Sequence, residues 1–392
     1  MRVIRTAVTL VLMAASASGA IACTALFPLD DHRADDGEAS GIDGGGSGDG
    51  GDGAVGADAR RPNYVFVSSE TFDPSTLGDR EGGVQTADDA CQALAADAGL
   101  GGTYVAYLST SKRPAWSRLT EVGGWIRPDG KPFVRSKSDL LQGRILYPPR
   151  VDEHRNPLLN DVVATGHAND TGCSSEELCA VDWTSGNAGF FVGTSFAGAS
   201  LWESSGPAQP GIAPHIYCFE IDPTIVASVS PTPSRRAFVS VVPFVPQPRG
   251  VQAADDECNA EAASHAWSAT FMALLATRGS SAAGRFDLNG LPWARADGVL
   301  LVATARDLER GGDALLAPLN LTSDGAYVNA DVWSGAMNPS VVSSFDCEDW
   351  TNPAATGTIP IGYSALSGNS LFWRGAGTGC TSKTTHLYCL EK

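Results

Sequence analysis

The chain has 392 residues, 43% of them hydrophobic, nine cysteines and a formal net charge of −17. That charge excludes nucleic acid and anionic membrane surface as general partners. The length allows more than one hydrophobic core, and an internal repeat sets the number at two. GVQTADDACQALA at 83–95 returns as GVQAADDECNAEA at 250–262, with 9 of 13 positions identical at an offset of 167. Other landmarks follow: WIRPDG at 125–130 with WARADG at 293–298, Cys179 and Trp183 with Cys347 and Trp350, Leu201-Trp202 with Phe372-Trp373, and HIYCFE at 215–220 with HLYCLE at 386–391.

In chain order, residues 1–22 read as an export signal. Arg2 and Arg5 precede an apolar run at 7–15, too short to span a bilayer as a helix, and small residues lead into Ala20-Ile21-Ala22-Cys23. That order resembles the bacterial lipobox, which implies acylation of Cys23. An ordinary secretory peptide cut near Ala22 is the alternative and would leave Cys23 a free thiol. Cysteine counting favours the lipid, because removing Cys23 leaves eight, four in each repeat. Thr24 follows where lipoproteins kept at the inner membrane often carry Asp, so the resemblance implies the outer membrane or cell surface. Residues 23–61 carry the lipidated cysteine and a Gly/Asp-rich tether with almost nothing to bury. As a flexible coil the tether spans roughly 30 Å. Its Asp-Gly runs lack the spacing of calcium loops.

The first repeat (62–221) opens with YVFVS at 64–68, a strand pattern. Thr86 is placed to cap a helix with Asp88 and Asp89 in its first turn, Cys91, Leu94 and Ala95 at helical spacing, and Gly99 closing it. Adjacent carboxylates on a helix diverge by about 100°, so Asp88 and Asp89 do not read as a catalytic pair. TYVAYL at 103–108 predicts a second strand, and 215–219 the last one. A Pro-containing linker occupies 222–235. The second repeat (236–392) begins with AFVS at 237–240, and its 269–275 corresponds to TYVAYL.

An exported chain permits disulfides, and eight cysteines allow on the order of a hundred pairings. The duplication narrows them. Cys91 and Cys258 lie on the repeated helix and Cys218 and Cys389 on the final strand, so one helix-to-strand bridge per repeat is the economical choice. Cys347 and Cys380 remain in the second repeat, and Cys173 and Cys179 in the first. No C-x₂₋₄-C knuckle occurs, so neither zinc nor any other metal is expected.

The opening strand, the A-D-x-x-C helix, the run GTYVAYLS at 102–109 and the closing Tyr-Cys-Leu-Glu resemble the endostatin domain of collagens, a variant of the C-type lectin fold. The tail of the second repeat carries the likeness furthest, with VWSG at 332–335, CEDW at 347–350, ATG at 355–357, then Cys380 and Cys389. The resemblance implies an α+β fold of two tandem C-type-lectin-like domains, each with short mixed or antiparallel strands, a disulfide-linked helix and long loops. Its nested bridge order implies Cys91–Cys218, Cys173–Cys179, Cys258–Cys389 and Cys347–Cys380. Bacterial surface lipoproteins with endostatin-like domains include binders of host matrix proteins, which implies a non-catalytic binding role for this chain. The calcium-dependent sugar motifs of C-type lectins (Glu-Pro-Asn, Gln-Pro-Asp, Trp-Asn-Asp) are missing, as are the N-terminal histidines of collagen endostatin. His215 and His386, and the paired tryptophans, read as repeated fold positions.

Catalytic motifs for hydrolases, metalloproteases, nucleotide or dinucleotide enzymes are absent, and no cofactor is expected. An envelope-located or cell-wall-modifying enzyme stays the alternative, and a polar cleft with converging titratable groups would favour it. One stretch runs against the acidic trend. Lys112, Arg113, Arg118, Arg127, Lys131, Arg135 and Lys137 face only Glu121 and Asp129 between 112 and 137. The first six are the expected ligand-binding residues, for an anionic protein or glycan, on the first repeat alone. A solvated loop is the competing reading.

Overall fold

A computed structural model describes residues 61–392, except 80, 122, 159–161 and 168–178. The export signal, Cys23, the tether up to residue 60 and Cys173 lie outside the described residues. The described chain is a mixed α+β fold of short strands, several sheets and few helices.

In the first copy the strands are β1 (Asn63–Val67), β2 (Tyr104–Ala106), β3 (Trp125–Ile126), β4 (Pro132–Val134), β5 (Val162–Ala164), β6 (Phe190–Thr194), β7 (Gly206–Ala208) and β8 (His215–Glu220). β8 is the hub: it pairs antiparallel with β1 and β2 and parallel with β5. Because side chains alternate across a strand, β1 serves two cores. Val65 and Val67 pack with Trp125, Tyr217 and Phe219 on one side. Phe66 faces the other side, against Ala87, Cys91 and Ala95 of the helix Gln85–Asp97.

The second copy repeats this plan. Its strands are β9 (Arg235–Val239), β10 (Phe271–Ala273), β11 (Trp293–Ala294), β12 (Asp331–Trp333), β13 (Ile359–Tyr363), β14 (Ala376–Thr378) and β15 (Tyr388–Glu391). β9 pairs with β15 and β11 as β1 pairs with β8 and β3. Ala237 and Val239 face one core and Phe238 the other, beside Ala254, Cys258 and Ala262 of the helix Val251–Ser264.

Disulfides tie helix to last strand in each copy, Cys91–Cys218 and Cys258–Cys389, both with Cα atoms 5.4 Å apart. Cys347–Cys380 closes a loop in the second copy. Cys179 is also disulfide-bonded.

Three expectations change in detail. Thr86 lies inside the helix, which starts at Gln85 with no side-chain cap from its N-cap residue Val84. The Asp79 carboxylate instead accepts from Gly83 N at 2.7 Å and Glu81 N at 2.9 Å in the preceding turn. Asp88 does more than complement the helix dipole. It accepts from Ala106 N at 2.9 Å and pairs with Arg118, while Asp255 does the same with Ala273 N at 2.9 Å and Arg285 at 2.6 Å. The repeated Asp therefore ties helix to strand. Finally, Trp202 matches Leu371 rather than Trp373. Tyr217 Oη donates to Trp202 O and Tyr388 Oη to Leu371 O. Gly193 and Gly362 sit against those same carbonyls, so closely that a Cβ on either would overlap them.

A second repeated device is backbone strain. Ala180–Trp183 and Cys347–Trp350 each form a left-handed turn with φ from 49° to 64°. Such a turn costs roughly 1–2 kcal/mol per non-glycine residue. Buried tryptophans hold it: Trp183 Nε1 donates to Ser109 O at 2.7 Å and Trp350 Nε1 to Ala276 O at 2.9 Å.

Both copies belong to one compact unit. Leu146 and Tyr147 share a small core with Val299 and Ala317. Buried Arg150, its guanidinium pushed down to about 10 by burial, donates to Asp313 O at 2.6 Å and Leu315 O at 3.3 Å. Gly198 N donates to Ala365 O at 2.7 Å, and Ser367 Oγ to Phe196 O at 2.7 Å. A seam so made carries side chains of both copies to any depression along it.

Candidate functional site

The six basic residues expected to form one patch occupy three places. Lys112, Arg113 and Arg118 line a cavity of about 320 Å³ beside the start of the helix Gln85–Asp97, with Asp79 and Asp88. Lys112 and Arg113 are exposed, and Arg113 donates to Ser117 Oγ at 3.1 Å. Arg118 is turned inward, paired with Asp88 and donating to Ala106 O at 2.6 Å. Its counterpart Arg285 does the same in the second copy, so its place follows from the fold.

Arg127 is buried against Asp129 and donates to Pro148 O at 2.9 Å, and Lys131 reaches the same carboxylate at 3.3 Å. Burial raises the Asp129 pKa, but Arg127 and Lys131 outweigh it and hold it at about 2. Arg295 and Asp297 repeat the Arg127–Asp129 pair. Arg135 has no ion pair among the described residues and lines a depression on the seam with Tyr327 and Asp297. Lys137 is buried against Glu121. Two exposed cations, Lys112 and Arg113, are what the first cavity offers a ligand. His215 and His386 fill hydrogen-bonded niches, Nδ1 at 2.6 Å from Ser68 O and 2.7 Å from Ser240 O. Trp125, Trp183, Trp202, Trp293 and Trp350 are fully buried.

A different constellation distinguishes the copies. Tyr107 Oη donates to Glu203 Oε2 at 2.5 Å, and His167 Nε2 lies 3.9 Å from Glu203 Oε1. Burial, and next the Glu203 charge, push the Tyr107 phenol well above its ordinary value, so it stays a neutral donor. The backbone registers identify the counterparts. Tyr107 N donates to Tyr217 O as Leu274 N does to Tyr388 O. Gly166 and Gly335 take positive φ (63° and 76°) against Trp183 and Trp350, which matches the next residues, His167 and Ala336. Glu203 follows Trp202 as Phe372 follows Leu371. Leu274, Ala336 and Phe372 sit together in one apolar core.

The first copy thus puts Tyr, His and Glu at three positions that the same fold fills with Leu, Ala and Phe. His167 and Glu203 line a cavity of about 430 Å³ together with Gln142, Ser200 and Ser204, and with Tyr327 and Asn329 of the second copy. Glu203 is the one carboxylate lining it among the described residues. No group of three or more metal-ligating side chains occurs among the described residues.

No protein-family model matches the chain, and no curated protein matches it.

The sequence reading missed this trio. Tyr107 is visible as the partner of Leu274 at the offset of 167. The other two require an offset of 169, which short insertions in the loops conceal.

Proposed function

We propose that the chain is an exported, lipid-anchored protein of the bacterial outer surface whose two endostatin-like, C-type-lectin-like copies act by binding an extracellular ligand. One observation carries the reading: three positions that form apolar core in the second copy are Tyr107, His167 and Glu203 in the first, beside a cavity that both copies line. The second copy reaches the same fold with Leu, Ala and Phe there, so the polar residues are particular to the first copy and to the cavity beside it. The cavity volume lies within the range of roughly 300–1,000 Å³ usual for small-ligand sites.

Convergence of His167 and Glu203 also favours a second reading, an envelope enzyme. Hydrolysis by paired carboxylates lacks its second carboxylate among the described residues lining this cavity. The test is capture from envelope and matrix extracts by the chain from residue 23 with Cys23→Ala. The wild-type cavity should retain a ligand that Tyr107→Leu/His167→Ala/Glu203→Phe, which copies the second copy's core, does not. Equal capture by both sinks the reading, and turnover of the captured ligand favours the enzyme.

A further inference from the structure

Exposed large apolar side chains occur singly or in pairs along the described chain, except in one loop. Met337, Val341, Val342 and Phe345 are each about half exposed, and all four lie between β12 and the left-handed turn Cys347–Trp350 of the second copy. Residues 336–345 contain no charged side chain, in a protein of which 18% is charged. The first copy does not repeat this pattern. Between His167 and Cys179, which match Ala336 and Cys347, its sequence has Asp170, Glu176 and Glu177, with Leu178 as the one large aliphatic residue. An uncharged, apolar loop is thus particular to the second copy.

Two features suit the loop to leave water. Several of its polar groups are paired within it: Ser340 N and Oγ donate to Asn338 Oδ1 at 2.9 and 2.8 Å, Val341 N to Asn338 O at 3.1 Å, and Phe345 N to Ser343 Oγ at 3.1 Å. Groups satisfied in this way lose little when water is removed. The loop is also held from its base. Ser343 N donates to Thr277 O at 2.8 Å, and Ala283 N to Pro339 O at 2.9 Å.

Size and charge select the occupant. Stable protein interfaces use roughly 20–30 residues a side, far more than a nine-residue loop supplies. A bilayer needs no matching surface, because apolar side chains enter its headgroup–acyl boundary on their own. Arg278, 58% exposed and 3.4 Å from Asp346, stands at the base of the loop, within the level of lipid phosphates once the loop is seated. The net charge of −17 opposes an anionic surface, so the lipid is zwitterionic.

We infer that residues 337–345 of the second copy seat in a zwitterionic lipid surface and fix how the protein lies on it. This goes beyond the binding reading of the cavity, and it rests on the proposed lipid anchor only for the nearness of a bilayer.

The experiment is co-sedimentation of the unacylated Cys23→Ala chain, from residue 23, with sucrose-loaded phosphatidylcholine vesicles at millimolar lipid. The chain should partition onto them, and raising the salt from about 0.1 to about 1 M should not release it, because the contact is apolar. Val341→Ser/Val342→Ser/Phe345→Ser should lower partition at least tenfold while its thermal midpoint stays near wild type, since all three side chains are half exposed. No partition by the unsubstituted loop overturns the inference, as does equal partition by the triple variant. A wild-type dimer in sedimentation that the triple variant dissolves also overturns it, and makes a second copy of the chain the occupant. Acyl labelling of the wild-type chain tests the anchor separately. Labelling without vesicle partition leaves the anchor standing and removes the loop; partition without labelling does the reverse.

Discussion

The two copies share the pairing of first and last strands, the helix-to-strand disulfide, the Asp–Arg tie and the left-handed turn, yet differ at one end of the core. The second copy fills that end with Leu274, Ala336 and Phe372, whereas the first has Tyr107, His167 and Glu203 there. A duplicated fold acts as its own control. Features present in both copies are explained by folding, which accounts for the places of Arg118, Arg127 and the two niche histidines. Features present in one copy need another cause.

The comparison can be broken most severely through what the copies share. Removing Cys91–Cys218 or Cys258–Cys389 by Cys→Ala pairs should cost about 4–5 kcal/mol each in the chain-entropy model, because the bridged separations, 127 and 131 residues, are nearly equal. Denaturant midpoints should fall by similar amounts. A large inequality would show that one copy depends on the other for its stability.

A swap across the copies sharpens the contrast. Phe372→Glu places an unpartnered carboxylate in an apolar core and should cost about 4 kcal/mol in urea unfolding. The reverse pair, Tyr107→Leu/Glu203→Phe, should leave stability within about 1 kcal/mol of wild type, since buried polar groups are replaced by apolar ones. Equal destabilisation by the two swaps would mean that the polar trio is structural.

The smallest effect concerns acid. In the folded protein Asp129 is held at about 2, and Asp297, also working against burial, is held below its ordinary value by Arg295. Ordinary aspartate titrates near about 3.9. The stability these two carboxylates contribute is therefore present above about pH 4 and lost as the pH falls through their folded values. Asp129→Asn should flatten the fall in thermal midpoint between pH 4 and about 2, and Asp297→Asn should do the same in the other copy. An unchanged slope in both variants would remove the pairs from the acid response.

The sequence by itself determined the duplication, the first and last strands of each copy, the repeated helix and its link to the last strand. These rest on local pattern: β-branched runs, helical spacing, and cysteines that recur in register. Sequence also showed a basic stretch, though not its fate. Neighbouring residues on a loop turn to different sides, so Arg118 and Arg127 went to interior carboxylates while Lys112 and Arg113 stayed in solvent. Only tertiary structure decided that Trp202 matches Leu371, because loop lengths shift the offset while hydrogen bonds to Tyr217 and Tyr388 fix the true register. It also decided the left-handed turns, whose non-glycine sequences give no local warning and which buried tryptophans hold in place. The cavity belongs to the same class: Tyr107, His167 and Glu203 lie far apart in the chain, with Tyr327 and Asn329 of the other copy, and packing alone brings them to one place.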